Sequence, residues 1–246
     1  MLEALRSGRE LNRIMVARGA GGSVDEILHL ARKAGVPVQR VERARLDALA
    51  RSRAHQGVLA WGSPRAYVEV EDILRRARAR SEPPLVLVLD GIQDPRNFGA
   101  LLRTAEATGV HGAIIPKRRA APLTPAAGKA SAGAVEHLPV ARVPNLARVL
   151  EELKEEGLWV VGAEAGGRVP WEVDLAGPLA LVIGGEGRGM GRLVREKCDI
   201  LVGLPMLGHV SSLNAGAAAA AILYEAIRQK RRGPAGPVPP AGRLDG

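Results

Sequence analysis

The sequence predicts an α/β protein: a mostly parallel sheet covered by helices on both faces, preceded by a small amino-terminal α/β domain. Three observations carry that prediction. From Leu85 onward, short apolar runs alternate with amphipathic stretches through brief connections, the pattern of repeated strand–helix–strand units. Leu85-Val86-Leu87-Val88-Leu89 is apolar at every position, as a strand buried on both faces is. With 246 residues, 46% of them hydrophobic, the chain has enough apolar surface for a core without staples.

The elements follow in order. In the first 65 or so residues, Leu11 to Ala17 reads as a strand. Ser23 is placed to cap a helix with the apolar stripe Val24, Ile27, Leu28 and Ala31, which Gly35 ends. Val36 to Val41 reads as a second strand, Leu46 to Ala50 as a short helix and Gly57 to Trp61 as a third strand. A basic helix over Val70 to Ser81 runs into Glu82-Pro83-Pro84, where the diproline stops it and marks the domain junction. Beyond Leu85–Leu89, strands are expected at Ala113–Pro116, Leu138–Ala141, Leu158–Ala163, Leu179–Ile183 and Ile200–Leu204. Helices are expected from about Phe98, over Leu146 to Glu156, and over about Leu213 to Arg232 with its alanine run Ala215 to Ala221. The resulting division is 1–65 as a small basic domain, 66–84 as a linker helix, 85–232 as the main domain and 233–246 as a Pro/Gly-rich, disordered tail.

Composition narrows the function. Cys198 is the only cysteine and no Cys/His cluster has zinc-ligand spacing, so neither a disulfide framework nor a metal site is supported, and a reducing, cytoplasmic setting is expected. The start lacks the apolar core of a signal peptide and no window approaches the ~20 uncharged apolar residues of a membrane helix, so a soluble protein without a membrane partner is expected. The net charge of +9 is uneven: residues 1–80 hold 16 basic and 9 acidic residues, the remainder 19 and 17. Such a concentration attracts a polyphosphate such as RNA by counterion release; an Arg-rich, solvated surface explains it equally well. Aromatic residues make up only 2%, which disfavours a stacking platform for single strands.

Three polar, glycine-bearing segments sit at the carboxyl ends of strand-like runs, where an open α/β sheet keeps its ligand site. In the first, Asp90 to Asn97 leads into a helix carrying Arg103; Asn97 as a helix cap and Arg103 as a surface ion-pair partner is the plain structural alternative. In the second, the strand Leu179–Ile183 breaks into five glycines within the eight residues Gly184 to Gly191. Glycines there let a ligand approach the main chain. The turn comes too late in the fold for a dinucleotide fingerprint, and a Walker lysine is absent. In the third, Leu204 to Asn214 joins the last strand to the last helix, with Ser211 or Ser212 placed to cap it and Asn214 in its first turn.

In this order and spacing the segments resemble the three signature motifs of the SpoU family of ribose 2′-O-methyltransferases: Asn97, Gly99 and Arg103; Gly184, Glu186 and Gly187; Pro205, Ser212, Leu213 and Asn214. His55 to Ala60 resembles the end of the family's small substrate-binding domain. Within the family, the pattern is most similar to the bacterial enzymes that methylate a guanosine ribose of large-subunit ribosomal RNA.

The resemblance implies a SPOUT fold with a carboxy-terminal trefoil knot, a homodimer paired through the knotted region, ribosomal RNA as partner and S-adenosylmethionine as cofactor. By matching positions it implies that the backbone around Gly184, Leu204 and Leu213 holds the cofactor, and that Asn97, Arg103, Glu186, Ser212 and Asn214 form the catalytic site, with Glu186 either holding Arg103 or tying the glycine loop. An arginine at the position of Arg103 is often assigned as the base. Guanidinium groups stay protonated in proteins, with a pKa above about 12, so binding a phosphate and stabilising developing charge suits an arginine better. Transfer RNA is the competing substrate, and a non-catalytic RNA-binding protein on the same scaffold the competing class. Lys117-Arg118-Arg119 follows a strand end and reads either as a phosphate contact or as a solvated loop. The five histidines and three tryptophans read as packing or surface residues.

Overall fold

The computed structural model describes residues 1–50, 55–63 and 65–232; the expected tail 233–246 lies outside them. The small domain comprises α1 (Leu2–Arg6), β1 (Leu11–Ala17), α2 (Val24–Lys33), β2 (Val38–Val41), α3 (Arg43–Leu49) and β3 (Val58–Gly62). Its sheet has the order β2-β1-β3, with β1 parallel to β2 and antiparallel to β3. Ile14 and Val16 pack against Leu5, Val24, Ile27 and Ala31, whereas Met15 and Ala17 face Val41 and Leu46. The central strand is therefore buried on both sides, which explains its apolar second half. Ser23 occupies the N-cap position of α2, yet its side chain makes no capping bond.

Helix α4 (Val70–Ala79) starts where the Glu69 N–H donates to Asp72 (3.1 Å) and stops two residues before the expected Ser81, which has a left-handed φ of +54°. Pro83 and Pro84 then lead into the main sheet. That sheet contains β4 (Leu85–Asp90), β5 (Gly112–Pro116), β6 (Val140–Val143), β7 (Trp159–Arg168), β8 (Leu179–Gly184) and β9 (Ile200–Val202). Their order is β6-β5-β4-β8-β7-β9, and each neighbouring pair is parallel. Helices α5 (Pro95–Ala107), α6 (Pro125–Ala130), α7 (Leu146–Glu155), α8 (Arg192–Glu196) and α9 (Ala215–Arg232) connect or follow them.

Two cores flank the sheet. Leu85, Leu87 and Leu89 of β4 join Phe98, Leu101 and Leu102 of α5 and Ala219 and Leu223 of α9. Val86 and Val88 face Ile73 and Leu74 of α4, Leu146 and Leu150 of α7 and Val194 of α8. Burying one aliphatic side chain stabilises by about 1.5–3 kcal/mol, so β4, with no wet face, anchors the domain.

Several boundaries differ from expectation for visible reasons. Helix α5 begins at Pro95 because Asp94 accepts the N–H groups of Arg96 (2.8 Å) and Asn97 (2.9 Å), so Asp94 and not Asn97 is the cap. Strand β7 runs past Ala163 because its pairing with β9 shifts register and resumes at Arg168 opposite Val202. Strand β9 stops at Val202; Gly203 lies so close to β7 that a Cβ there would sit 2.5 Å from the Glu164 carbonyl oxygen. Neither Ser211 nor Ser212 caps the last helix, which starts at Ala215 with the Asn214 side chain accepting from the Gly216 N–H (2.8 Å).

The small domain docks on the loop after α6. Glu136, almost fully buried, accepts from Arg9 and from Arg65, each at 2.8 Å, and His137 Nε2 lies 2.8 Å from Glu3.

Candidate active site

The site lies where β4, β8 and β9 end on the same edge of the sheet. Past β4, the Asp90 carboxylate accepts the Gly191 N–H at 2.7 Å, pinning the far end of the glycine loop. Gly91 turns with a φ of +77°, and its carbonyl oxygen would be 2.5 Å from a Cβ at Gly185. Past β8, the glycine loop folds on itself: the Gly189 N–H donates to the Gly185 carbonyl (2.9 Å), with Gly187 and Gly189 at φ +81° and +64°. Gly184 has no room for a side chain, since a Cβ would lie 2.3 Å from Gly189 and Met190 backbone atoms.

Asn214 ties the three segments together. Its Nδ2 donates to Glu186 Oε1 (2.6 Å) and to Asn97 Oδ1 (3.4 Å), while its Oδ1 caps α9. Because Asp94 satisfies the first turn of α5, the Asn97 side chain is left free for this junction. Beneath it is a cavity of about 790 Å³, within the ~300–1,000 Å³ of small-molecule sites, lined among others by Ile183, Gly184, Glu186, Leu204, Met206, Ser212, Leu213, Asn214 and Ile222. Apolar side chains and the main chain of the glycine loop share the lining with the polar side chains of Glu164, Glu186, Arg195, Ser212 and Asn214.

Of the residues singled out from sequence, Asn97, Glu186 and Asn214 are bonded together, and Gly184, Leu204, Ser212 and Leu213 line the cavity. Arg103 stands apart. It is exposed on α5, forms no ion pair among the described residues, and does not line the cavity. Glu186 accordingly holds Asn214 and not Arg103. Asn97, Ala100 and Arg103 nevertheless follow one i, i+3, i+6 ridge of α5, and Ala100 is the residue that α9 approaches at Gly216; Arg103 stands about 9 Å further along the axis than Asn97.

Sequence reasoning missed Asp90 and the pair Glu164–Arg195 (2.8 Å), both members of which line the cavity. The run Ala163-Glu164-Ala165-Gly166-Gly167, another polar strand end, was the available signal.

Comparison with known proteins agrees with this architecture. Residues 84–224 match the model of the SpoU rRNA Methylase family, and residues 1–68 match that of the RNA 2′-O ribose methyltransferase substrate binding domain. The chain therefore belongs to the SpoU methyltransferase family. It is 48% identical over 232 residues to YacO of Bacillus subtilis, named as a TrmH-family tRNA/rRNA methyltransferase, covering 94% of this chain and 93% of that protein. A similarly named protein of Staphylococcus saprophyticus is 46% identical over 230 residues, covering 93% and 92%. Among solved structures, the SpoU methyltransferase AviRb of Streptomyces viridochromogenes, in complex with the cofactor AdoMet, superposes with a TM-score of 0.78 at 29% identity, covering 94% of this chain and 87% of that one.

Proposed function

We propose that this RNA methyltransferase transfers a methyl group from S-adenosylmethionine to the ribose 2′-hydroxyl of a guanosine in large-subunit ribosomal RNA. The observation that carries the reading is the Asn97–Asn214–Glu186 junction closing one side of a glycine-opened cavity. Both family models and the AviRb cofactor complex support it.

The cavity suits the cofactor: its volume accommodates a nucleoside with an amino-acid arm, Ile183, Leu204 and Leu213 offer apolar contact, and Gly184 contributes to the lining. When bound, S-adenosylmethionine supplies a methyl already activated by positive sulfur. The protein's task is alignment and disposal of the hydroxyl proton. Asn97 and Asn214 fix the geometry of the reacting side, and Glu186 holds Asn214 with its carboxylate. As the C–O bond forms and the C–S bond breaks, the 2′-hydroxyl proton leaves to a phosphate oxygen or water. Arg103, unpaired on its ridge, binds the adjacent phosphate and offsets developing negative charge. Ser212, with no hydrogen bond among the described residues, is available to the substrate.

Residues 1–65 hold RNA, 66–84 link, and 85–232 catalyse. The carboxy-terminal trefoil knot belongs to this reading through the family resemblance, while the approach of Gly203 to the Glu164–Gly167 backbone follows from the pairing of β9 with β7. Exposed Leu207, Val210, Leu213 and Tyr224 supply the apolar surface for a homodimer through this region. No described helix is long and apolar enough to cross a membrane, and an RNA substrate supports a cytoplasmic setting.

Mapping ribose methylation in RNA from a deletion strain tests the substrate. Loss of one guanosine methylation in the large-subunit RNA is expected; loss in transfer RNA would move the assignment there. Calorimetry that shows no S-adenosylmethionine binding would favour the non-catalytic alternative.

A further inference from the structure

We infer that the loop Lys117-Arg118-Arg119, backed by Arg142, is a phosphate-binding track that carries the RNA strand between the small basic domain and the Asn97–Asn214–Glu186 site. The inference rests on the reading of the protein as an RNA methyltransferase. The placement is structural: β5 ends at Pro116, and its register with β4 (Val88 beside Ile114) sets the end of β5 beside Asp90, one strand spacing of about 4.8 Å from the strand that leads into the site.

The loop is fastened at both ends. The Lys117 N–H donates to the Val143 carbonyl (2.7 Å) and the Ala121 N–H to the Ile92 carbonyl (2.8 Å), so its second anchor is the turn that precedes Asn97. The Leu123 N–H donates to the Tyr67 hydroxyl (3.1 Å). Tyr67 lies on the linker from the small domain, and its ring carries the Arg142 guanidinium at 5.4 Å; Arg142 in turn donates to the Lys117 carbonyl (2.8 Å). Cations thus continue from the linker to the site on ordered backbone. Arg119 has a φ of +58°, a conformation side-chain-bearing residues seldom adopt and one that clusters at functional segments.

The loop's charge is uncompensated and contiguous. Arg75, Arg78, Arg148, Arg192 and Arg228 each meet a carboxylate on the surface. Lys117, Arg118 and Arg119 are exposed and meet none among the described residues, as is also true of Arg40, Arg96 and Arg188; the loop differs from these in placing three such cations in succession on a backbone fastened at both ends. Three adjacent unneutralised cations on a pinned loop complement a polyphosphate; they carry no base-reading chemistry, so the track holds and does not select.

The test uses the full-length protein and ribosomal RNA from a deletion strain, measuring binding across a salt series and steady-state methylation. The variant Lys117→Ala/Arg118→Ala/Arg119→Gly removes the charges, and glycine retains the left-handed backbone. Each lost phosphate contact reduces the slope of log K against log salt by about 0.7–0.9, so the slope is expected to fall by roughly two and the RNA KM to rise at least about tenfold. The kcat at saturating RNA and the affinity for S-adenosylmethionine stay as in the wild type. Arg148→Ala, a paired surface arginine, keeps the wild-type slope. An unchanged slope, or a loss in kcat with KM intact, overturns the track while leaving the methyltransferase reading in place. Wild-type protein that neither binds nor methylates this RNA overturns both the track and the ribosomal RNA assignment.

Discussion

Glu136 and Arg65 form a 2.8 Å ion pair whose carboxylate belongs to the main domain and whose guanidinium belongs to the chain leaving the small one. Arg9 binds the other oxygen of the same carboxylate. Burial pushes the Arg65 pKa down, and Glu136 works against that push while Arg9 adds to it. Removing the carboxylate would leave two guanidinium groups facing each other. Glu136→Ala is expected to cost about 2–3 kcal/mol, the lower side of a broken buried pair because both arginines retain some exposure. The small domain should detach: limited proteolysis between the domains should accelerate and the RNA KM rise, with S-adenosylmethionine affinity unchanged. Wild-type proteolysis would count against the docking role.

Asn214→Asp separates two duties of one side chain. The aspartate still accepts the Gly216 N–H, so the α9 cap survives and stability at pH 7 should stay within about 1 kcal/mol of wild type. The donor to Glu186 is replaced by a like charge at 2.6 Å separation, and turnover should fall by about 100-fold or more. Adding Glu186→Gln removes the repulsion and should restore part of kcat, which a double-mutant cycle reads directly. Additive losses would show that the pair does not act as a unit.

Gly184→Ala places a methyl carbon 2.3 Å from backbone atoms of Gly189 and Met190, which cannot yield as a flexible side chain would. The loop must move. We expect a stability loss of about 1–3 kcal/mol, read by urea denaturation, together with lost S-adenosylmethionine binding by calorimetry. Gly177→Ala, where nothing lies within 4 Å, serves as the tolerated comparison.

His111 is a structural histidine with a pH signature. Its Nδ1 accepts the Leu85 N–H at 3.0 Å, and its Nε2 lies 3.0 Å from Glu82. Desolvation lowers its pKa from the ordinary 6.5, against the pull of Glu82. The folded state therefore favours the neutral ring, and the unfolded chain binds the proton first as pH falls. This contribution is complete above about pH 6.5 and declines below it, toward the lowered folded value. Urea midpoints measured from pH 7.5 to 5.5 should fall, and His111→Asn, which offers the Leu85 amide a non-titrating acceptor, should flatten that part of the decline. An identical pH profile in the variant would exclude His111 as its source.

Much of this arrangement was legible in the chain. Continuous apolar runs such as Leu85–Leu89 announced strands buried on both faces, and Asn97, Glu186 and Asn214 stood out through their match to three ordered family motifs at polar strand ends, where helix capping and plain turns were the alternatives. Less was legible where local chemistry had two equal solutions. Asp94 and Asn97 are both good helix caps, and only the preference for Pro95 in the first helical position decides between them. The serines before α9 lost the cap to Asn214 because that residue also reaches Glu186, a contact between positions 28 residues apart that no local pattern encodes. Arg103 marked the right helix, but six residues of that helix set it about 9 Å beyond Asn97 along the axis, clear of the cavity lining.

The Asn214 junction also gives assembly of the site a direction along the chain. Asn97 is synthesised 117 residues ahead of the amide that clasps it and Glu186 28 residues ahead, and the helix that follows Asn214 brings Ala219, Ile222, Leu223 and Ala226 onto one side of the sheet. The basic domain and β4 to β9 are thus made before the clasp that completes the cavity, so RNA can be met before it can be modified.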